Sequence, residues 1–232
     1  MKLAIMQPYF LPYAGYFQLM AAVDAFVVYD NIKYTKKGWI NRNRILVNGQ
    51  DALFSLPLKK GSDALNIVER ELSSAFERTK LLNQFRGAYG RAPYFSEVFP
   101  HLEKIVNYPR DNLFEYLFHS LTCIADLLDI KTTFIISSSL PVDENLKGQD
   151  KVLAICHAMD AQNYINAIGG QTLYSKEDFD SQGVTLNFIQ YQERPYAQFD
   201  KPFVSCLSIV DVLMFNSLDS VRDRIKHNYT LV

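Results

Sequence analysis

With one tryptophan, three cysteines and four histidines among 232 residues, the chain is short of several groups that usually mark a site. Cys123, Cys156 and Cys206 sit in apolar contexts without C-x-x-C spacing, which fits reduced, buried thiols and argues against a disulfide framework or a zinc site. His101, His119, His157 and His227 are scattered over helical stretches without metal-ligand spacing, so no metal centre is expected from them. There is no G-x-S-x-G elbow, Walker loop or G-x-G-x-x-G. Their absence argues against a common serine hydrolase, a P-loop enzyme and a nicotinamide oxidoreductase. The formal net charge of −1 leaves no general cationic surface for nucleic acid. No stretch approaches the roughly 18 uninterrupted apolar residues of a membrane span, and no cationic leader precedes the first apolar run. These features lead us to expect a cytoplasmic protein without membrane insertion.

What is present is an alternation of short apolar runs and helical patterns. Hydrophobic residues make up 48% of the chain, enough for one sizeable core, so residues 1–232 read as one α/β domain. Lys2 to Met6 reads as a buried strand, Pro8 and Pro12 forbid a helix at once, and Gly15 to Val23 then forms one. Ala25 to Tyr29 is a second strand. Arg44–Val47 and Leu53–Leu58, around Asn48-Gly49, read as a β-hairpin. Ala75–Tyr89, Tyr94–Val106 and Asn112–Leu128 are spaced as helices and make a helical insertion at about 74–129. Strands at Thr132–Ser137, Tyr164–Ile168 and Val184–Gln190 then alternate with helices at Gln149–Met159 and Ser175–Ser181. One or two short helices follow from Ile209 to His227, with Ser208 as N-cap. The expected fold is a Rossmann-like, mostly parallel sheet with a β-hairpin and a helical insertion.

Ligands of such sheets bind outside the carboxyl ends of the strands, where the strand order reverses. Gln7 to Tyr16 follow the first strand. There Tyr13-Ala14-Gly15-Tyr16 occupies the place at which nucleotidyl transferases carry His-x-Gly-His, with tyrosines in place of imidazoles. Tyr13 and Tyr16 can donate hydrogen bonds to an oxyanion, Gly15 can let a nucleotide approach, and Gln7 needs a polar partner. The alternative is that these rings are core aromatics. Asp30 ends the second strand and can hold magnesium or a ribose, or accept a proton from an attacking amine. After it, Lys33, Lys36, Lys37, Arg42 and Arg44 surround Trp39 and Asn41; they read as a phosphate clamp with a stacking indole, or else as the solvated face of a hairpin. Gly169-Gly170 follow a strand and can present amides to an anion, or simply turn the chain. Tyr191, Arg194, Tyr196 and Gln198 read as a binding lip or an exposed loop, and Ser208 to Asp211 as a helix start.

Taken together, Gln7-Pro8-Tyr9-Phe10-Leu11-Pro12-Tyr13-Ala14-Gly15-Tyr16-Phe17, Tyr29-Asp30, Trp39 to Arg44 and Leu207-Ser208-Ile209-Val210-Asp211 resemble the WbqC-like protein family, over nearly the whole chain. The resemblance implies a place in O-antigen or other surface-polysaccharide (lipopolysaccharide) biosynthesis, with transfer of an amino acid such as glycine to an amino sugar as one activity. Forming that amide requires an activated carboxyl, for which ATP and Mg, or an aminoacyl-tRNA, are the candidate sources. The near-neutral charge argues against tRNA. The expected ligands are therefore small molecules: a nucleotide sugar or amino sugar, and an amino acid. In this reading Asp30, Tyr13 and Tyr16 carry the chemistry; Gln7, Gly15, Lys33, Lys36, Lys37, Trp39, Asn41, Arg42, Arg44, Gly169 and Gly170 hold substrate or phosphate. The other reading is a non-catalytic nucleotide-sugar binding module that assists a glycosyltransferase.

Overall fold

A computed structural model describes every residue except Asp200. Its strands are β1 Lys2–Met6, β2 Ala25–Val28, β3 Arg42–Val47, β4 Gln50–Ser55, β5 Thr133–Ile136, β6 Asn163–Ala167, β7 Thr185–Tyr191 and β8 Tyr229–Leu231. The helices are α1 Ala14–Ala21, α2 Arg78–Tyr89, α3 Phe95–Val106, α4 Leu113–Leu127, α5 Gly148–Ala158, α6 Lys176–Ser181, α7 Ile209–Phe215 and α8 Leu218–His227.

Period-two alternation assigns each strand's side chains to two cores. Ala4, Phe26, Val28, Ile165 and Ile189 face one core, which also takes α1 to α4, α7, α8 and the hairpin. Leu3, Ile5, Ala25, Val27, Tyr164, Leu186 and Phe188 face the other, which buries one side of α5 and Phe179 of α6. Strands buried on both faces read as continuous apolar runs, which is why Ala25-Phe26-Val27-Val28 has no polar position. Among the described residues the sheet order is β5-β2-β1-β6-β7-β8, all parallel except β8, which runs antiparallel to β7. The order reverses between β1 and β6, where the chain first winds outward through β2 and β5 and later through β7. That crevice is the topological switch point of the sheet.

The mixed α/β class with a mostly parallel sheet and a separate hairpin matches the reading of the sequence. The hairpin register differs from it. Asn48 (φ 53°) and Gly49 (φ 82°) both adopt left-handed backbone, so the loop is only two residues long and Val47 pairs with Gln50. The second strand therefore starts at Gln50 rather than Leu53, and the first extends back to Arg42. Pro100 lies inside α3 without ending it. Strand β8 was not expected: its Tyr-Thr-Leu is too short to carry a period.

Candidate functional site

At the switch point lies a cavity of about 540 Å3. It is bounded by the end of β1 and the following loop (Met6, Gln7, Tyr9, Tyr13), the first turn of α1 (Gly15, Tyr16) and Tyr29 after β2. Asn166 and the 3-10 turn Ile168–Leu173, which contains Gly169 and Gly170, close it from the β6 side with Tyr174. Among the described residues that line it, none is charged. The tyrosines are held neutral: burial raises the hydroxyls of Tyr9, Tyr29 and Tyr174 above their ordinary value, as it does Tyr13, where Cys206 and Tyr9 add to the effect. Tyr16 is buried and its hydroxyl, raised well above the ordinary range, donates to the Gln7 carbonyl at 2.7 Å. Its role is to fix the loop after β1. Gly170 gives Asn166 its room, since a Cβ there would sit 2.6 Å from Asn166 Nδ2.

A second cavity of about 420 Å3 adjoins the first, and Tyr9, Tyr13 and Ile168 line both. Its other walls include Trp39, Asn43, Arg44, Gln190, Tyr191 and Cys206. Trp39 is 42% exposed, with the guanidinium groups of Arg42 and Arg44 at 5.7 and 5.5 Å from its ring. Tyr191 meets Tyr13 edge to face at 5.7 Å, and burial first, then Glu193, pushes its hydroxyl up to about 12. Asn43 is spent on structure: it donates to the Leu11 carbonyl at 2.8 Å and accepts from Arg44 N at 2.8 Å, tying the hairpin to the loop after β1.

The structure thus brings Gln7, Tyr13, Gly15, Tyr16, Gly169 and Gly170 around the inner cavity, and Trp39 and Arg44 to the outer one. Lys33, Lys36, Lys37, Asn41, Arg42 and Asp30 line neither. Lys36 pairs with Asp63 at 2.6 Å, and Arg42 donates to the Gly38 carbonyl at 2.9 Å and to that of Lys37. Buried Asn41 accepts from Tyr34 and donates to the Leu56 carbonyl. Asp30 is 1% exposed and accepts from Ser137 Oγ at 2.7 Å, Ser138 N at 2.9 Å and Ser138 Oγ at 2.7 Å. These bonds clamp the end of β2 to the end of β5 and leave its oxygens committed.

Sequence reasoning passed over Asn166 and Tyr174 and gave Cys206 no part in a site, whereas Tyr9 and Tyr29 were placed at strand ends without a role of their own. Asn166 stands at the carboxyl end of β6, so the strand-end rule applied residue by residue finds it. The cysteines need a correction: Cys156 is buried, Cys123 half-buried, and Cys206 exposed. Apolar neighbours misled because Cys206 ends a loop, in left-handed backbone (φ 51°), just before α7 enters the core.

The fold and site define a doubly wound α/β protein with a tyrosine-lined cavity at its switch point. The chain belongs to the WbqC-like protein family, whose model matches residues 7–223. It is similar to the uncharacterized protein Rv1507c of Mycobacterium tuberculosis, 28% identical over 219 residues that cover 93% of each chain. No solved structure matches it significantly. Among the described residues, no helix is long and apolar enough to cross a membrane.

Proposed function

We propose that the protein is an acyl transferase of surface-polysaccharide biosynthesis that joins an activated amino acid, such as glycine, to the amine of a sugar in the inner cavity. The observation that carries this reading is the uncharged character of a tyrosine-lined cavity at the sheet's switch point. An ammonium group loses hydration on entering such a site, which lowers its pKa and favours the neutral, nucleophilic amine. No carboxylate is then needed as base, in keeping with Asp30 lying outside both cavities.

In the proposed step the amine nitrogen attacks the activated carbonyl carbon and a C–N bond forms. The bond from carbon to the leaving oxygen or sulfur breaks, and the proton from nitrogen ends on the leaving group. Phenols that stay neutral are suitable donors to the oxyanion that develops between these events, and Tyr9, Tyr13 and Tyr174 line the cavity where it would form. Magnesium takes hard oxygen ligands, and the cavity's residues provide no carboxylate for it. The proposal is therefore transfer from a carboxyl activated elsewhere, with activation by ATP and magnesium on this chain as the competing version.

The test supplies purified protein with an amino-sugar nucleotide and either a glycyl thioester or glycine with ATP and magnesium, and follows the amide by mass spectrometry. Amide from the thioester supports the proposal. Amide only from ATP and glycine favours activation on the chain, and none from either donor, with sugar nucleotide still bound, leaves the binding-module reading.

A further inference from the structure

Resting on the reading of the inner cavity as the reaction site, we propose that the outer cavity binds the nucleoside diphosphate portion of a nucleotide-linked amino sugar, whose sugar then reaches across Tyr9 and Tyr13 into the inner cavity. Three observations carry this. The two cavities divide by charge: no charged residue lines the inner one, whereas Arg44 lines the outer and the Arg42 guanidinium sits 5.7 Å from the Trp39 ring beside it. An anionic group is therefore favoured outside and a neutral one inside. The outer walls carry Trp39, Tyr9, Tyr13 and Tyr191, which offer flat aromatic surface to a planar ring.

The third observation is where apolar surface remains in contact with solvent. Of the exposed large hydrophobic residues, Trp39, Ile168 and Leu173 all line these cavities. Away from them only Leu53 on the hairpin and residues 1, 231 and 232 are exposed among the described residues. Apolar surface gathered at a mouth marks a place that a ligand covers. Because Tyr9, Tyr13 and Ile168 belong to both cavities, one ligand can occupy both without leaving the protein. Gln190, exposed on β7 with its side chain at the rim, stands where the edge of the ring or a phosphate passes.

Trp39 is the chain's only tryptophan, so its fluorescence reports on the outer cavity alone. Titration with UDP and with ADP is expected to give a saturable change, and free glucosamine none. Arg44→Gln is expected to weaken UDP binding at least about tenfold. Arg44 also pairs with Asp51 and holds the Cys206 carbonyl, so a second variant leaves those contacts intact: Gln190→Glu adds a like charge at the rim and is expected to weaken UDP severalfold, less so as salt rises. No saturable response to either nucleotide at millimolar concentration, or UDP affinity unchanged in both variants, overturns the proposal. The two readings separate cleanly. Amide formation with free glucosamine but no nucleotide response at Trp39 refutes the outer subsite alone, and nucleotide binding without any amide refutes the transferase alone.

Discussion

The ring of Tyr13 lies over Gly15: a Cβ added to the glycine would meet the ring carbons at 2.4 and 2.7 Å and the hydroxyl at 2.8 Å. Gly15 stands in the first turn of α1, where alanine is otherwise better by about 1 kcal/mol. Its glycine therefore serves the tyrosine ring, which forms, with Tyr9 and Ile168, the wall shared by both cavities.

Gly15→Ala is accordingly expected to destabilise the protein by about 1–3 kcal/mol, the usual cost of overpacking. In a Tyr13→Ala background the same change is expected to be neutral or to stabilise by up to about 1 kcal/mol. Urea unfolding of the four proteins measures the coupling; additive effects would show that the ring and the glycine are independent.

Asp30→Asn is expected to cost about 1–3 kcal/mol of stability, because an amide nitrogen then faces donors from Ser137 and Ser138. Urea melts give the loss, and UDP titration at Trp39 is expected to stay near the wild-type value. A variant of unchanged stability whose amide formation is abolished would return Asp30 to the chemistry.

Asp211 is fully buried and accepts from Tyr89 at 2.9 Å, Tyr196 at 2.6 Å and Gln198 at 2.6 Å. Burial raises its carboxyl above the ordinary value even against those three donors. The folded state thus holds a proton that the unfolded chain has released, so this group's contribution to stability is greatest at acid pH. It declines as pH rises from about 3.9 through the folded pKa. The stability advantage of wild type over Asp211→Asn is expected to shrink as pH rises above about 4. Chemical unfolding at each pH checks the slope, and an advantage that grows with pH contradicts it.

The cysteines are expected to react in order of access. Iodoacetamide should modify exposed Cys206 first, while burial pushes the Cys156 thiol up to about 12 and protects it. Peptide mass spectrometry identifies the site. The labelled protein is expected to lose UDP response at Trp39, since the adduct occupies the outer cavity.

The elements were legible where a period or a breaker stood in the chain. Lys2–Met6 was found at its full extent, and Ser208 before α7 announced a cap, whose side chain accepts from Val210 N. What local sequence does not carry is which loops meet. The Tyr9 and Tyr13 segment and Gly169-Gly170 were placed at strand ends and do share a cavity, because strand order alone brings β1 beside β6. The ribbon from Lys33 to Arg44 looked uniform as a string of cations. Its members part company through contacts made far away, Lys36 with Asp63, Asn41 with Leu56 and Arg44 with Cys206. Asp30 looked reactive for the same reason, since its serine partners lie 107 and 108 residues further along.

The Tyr13 ring has consequences beyond its own packing. Together with Tyr9 and Ile168 it borders both chambers, and a side chain in that position cannot be pushed from one side without being felt on the other, so occupants of the two chambers are expected to sense each other's presence through it. Thermodynamic reciprocity then requires that whatever the first arrival does to the affinity of the second, the second does equally to the first.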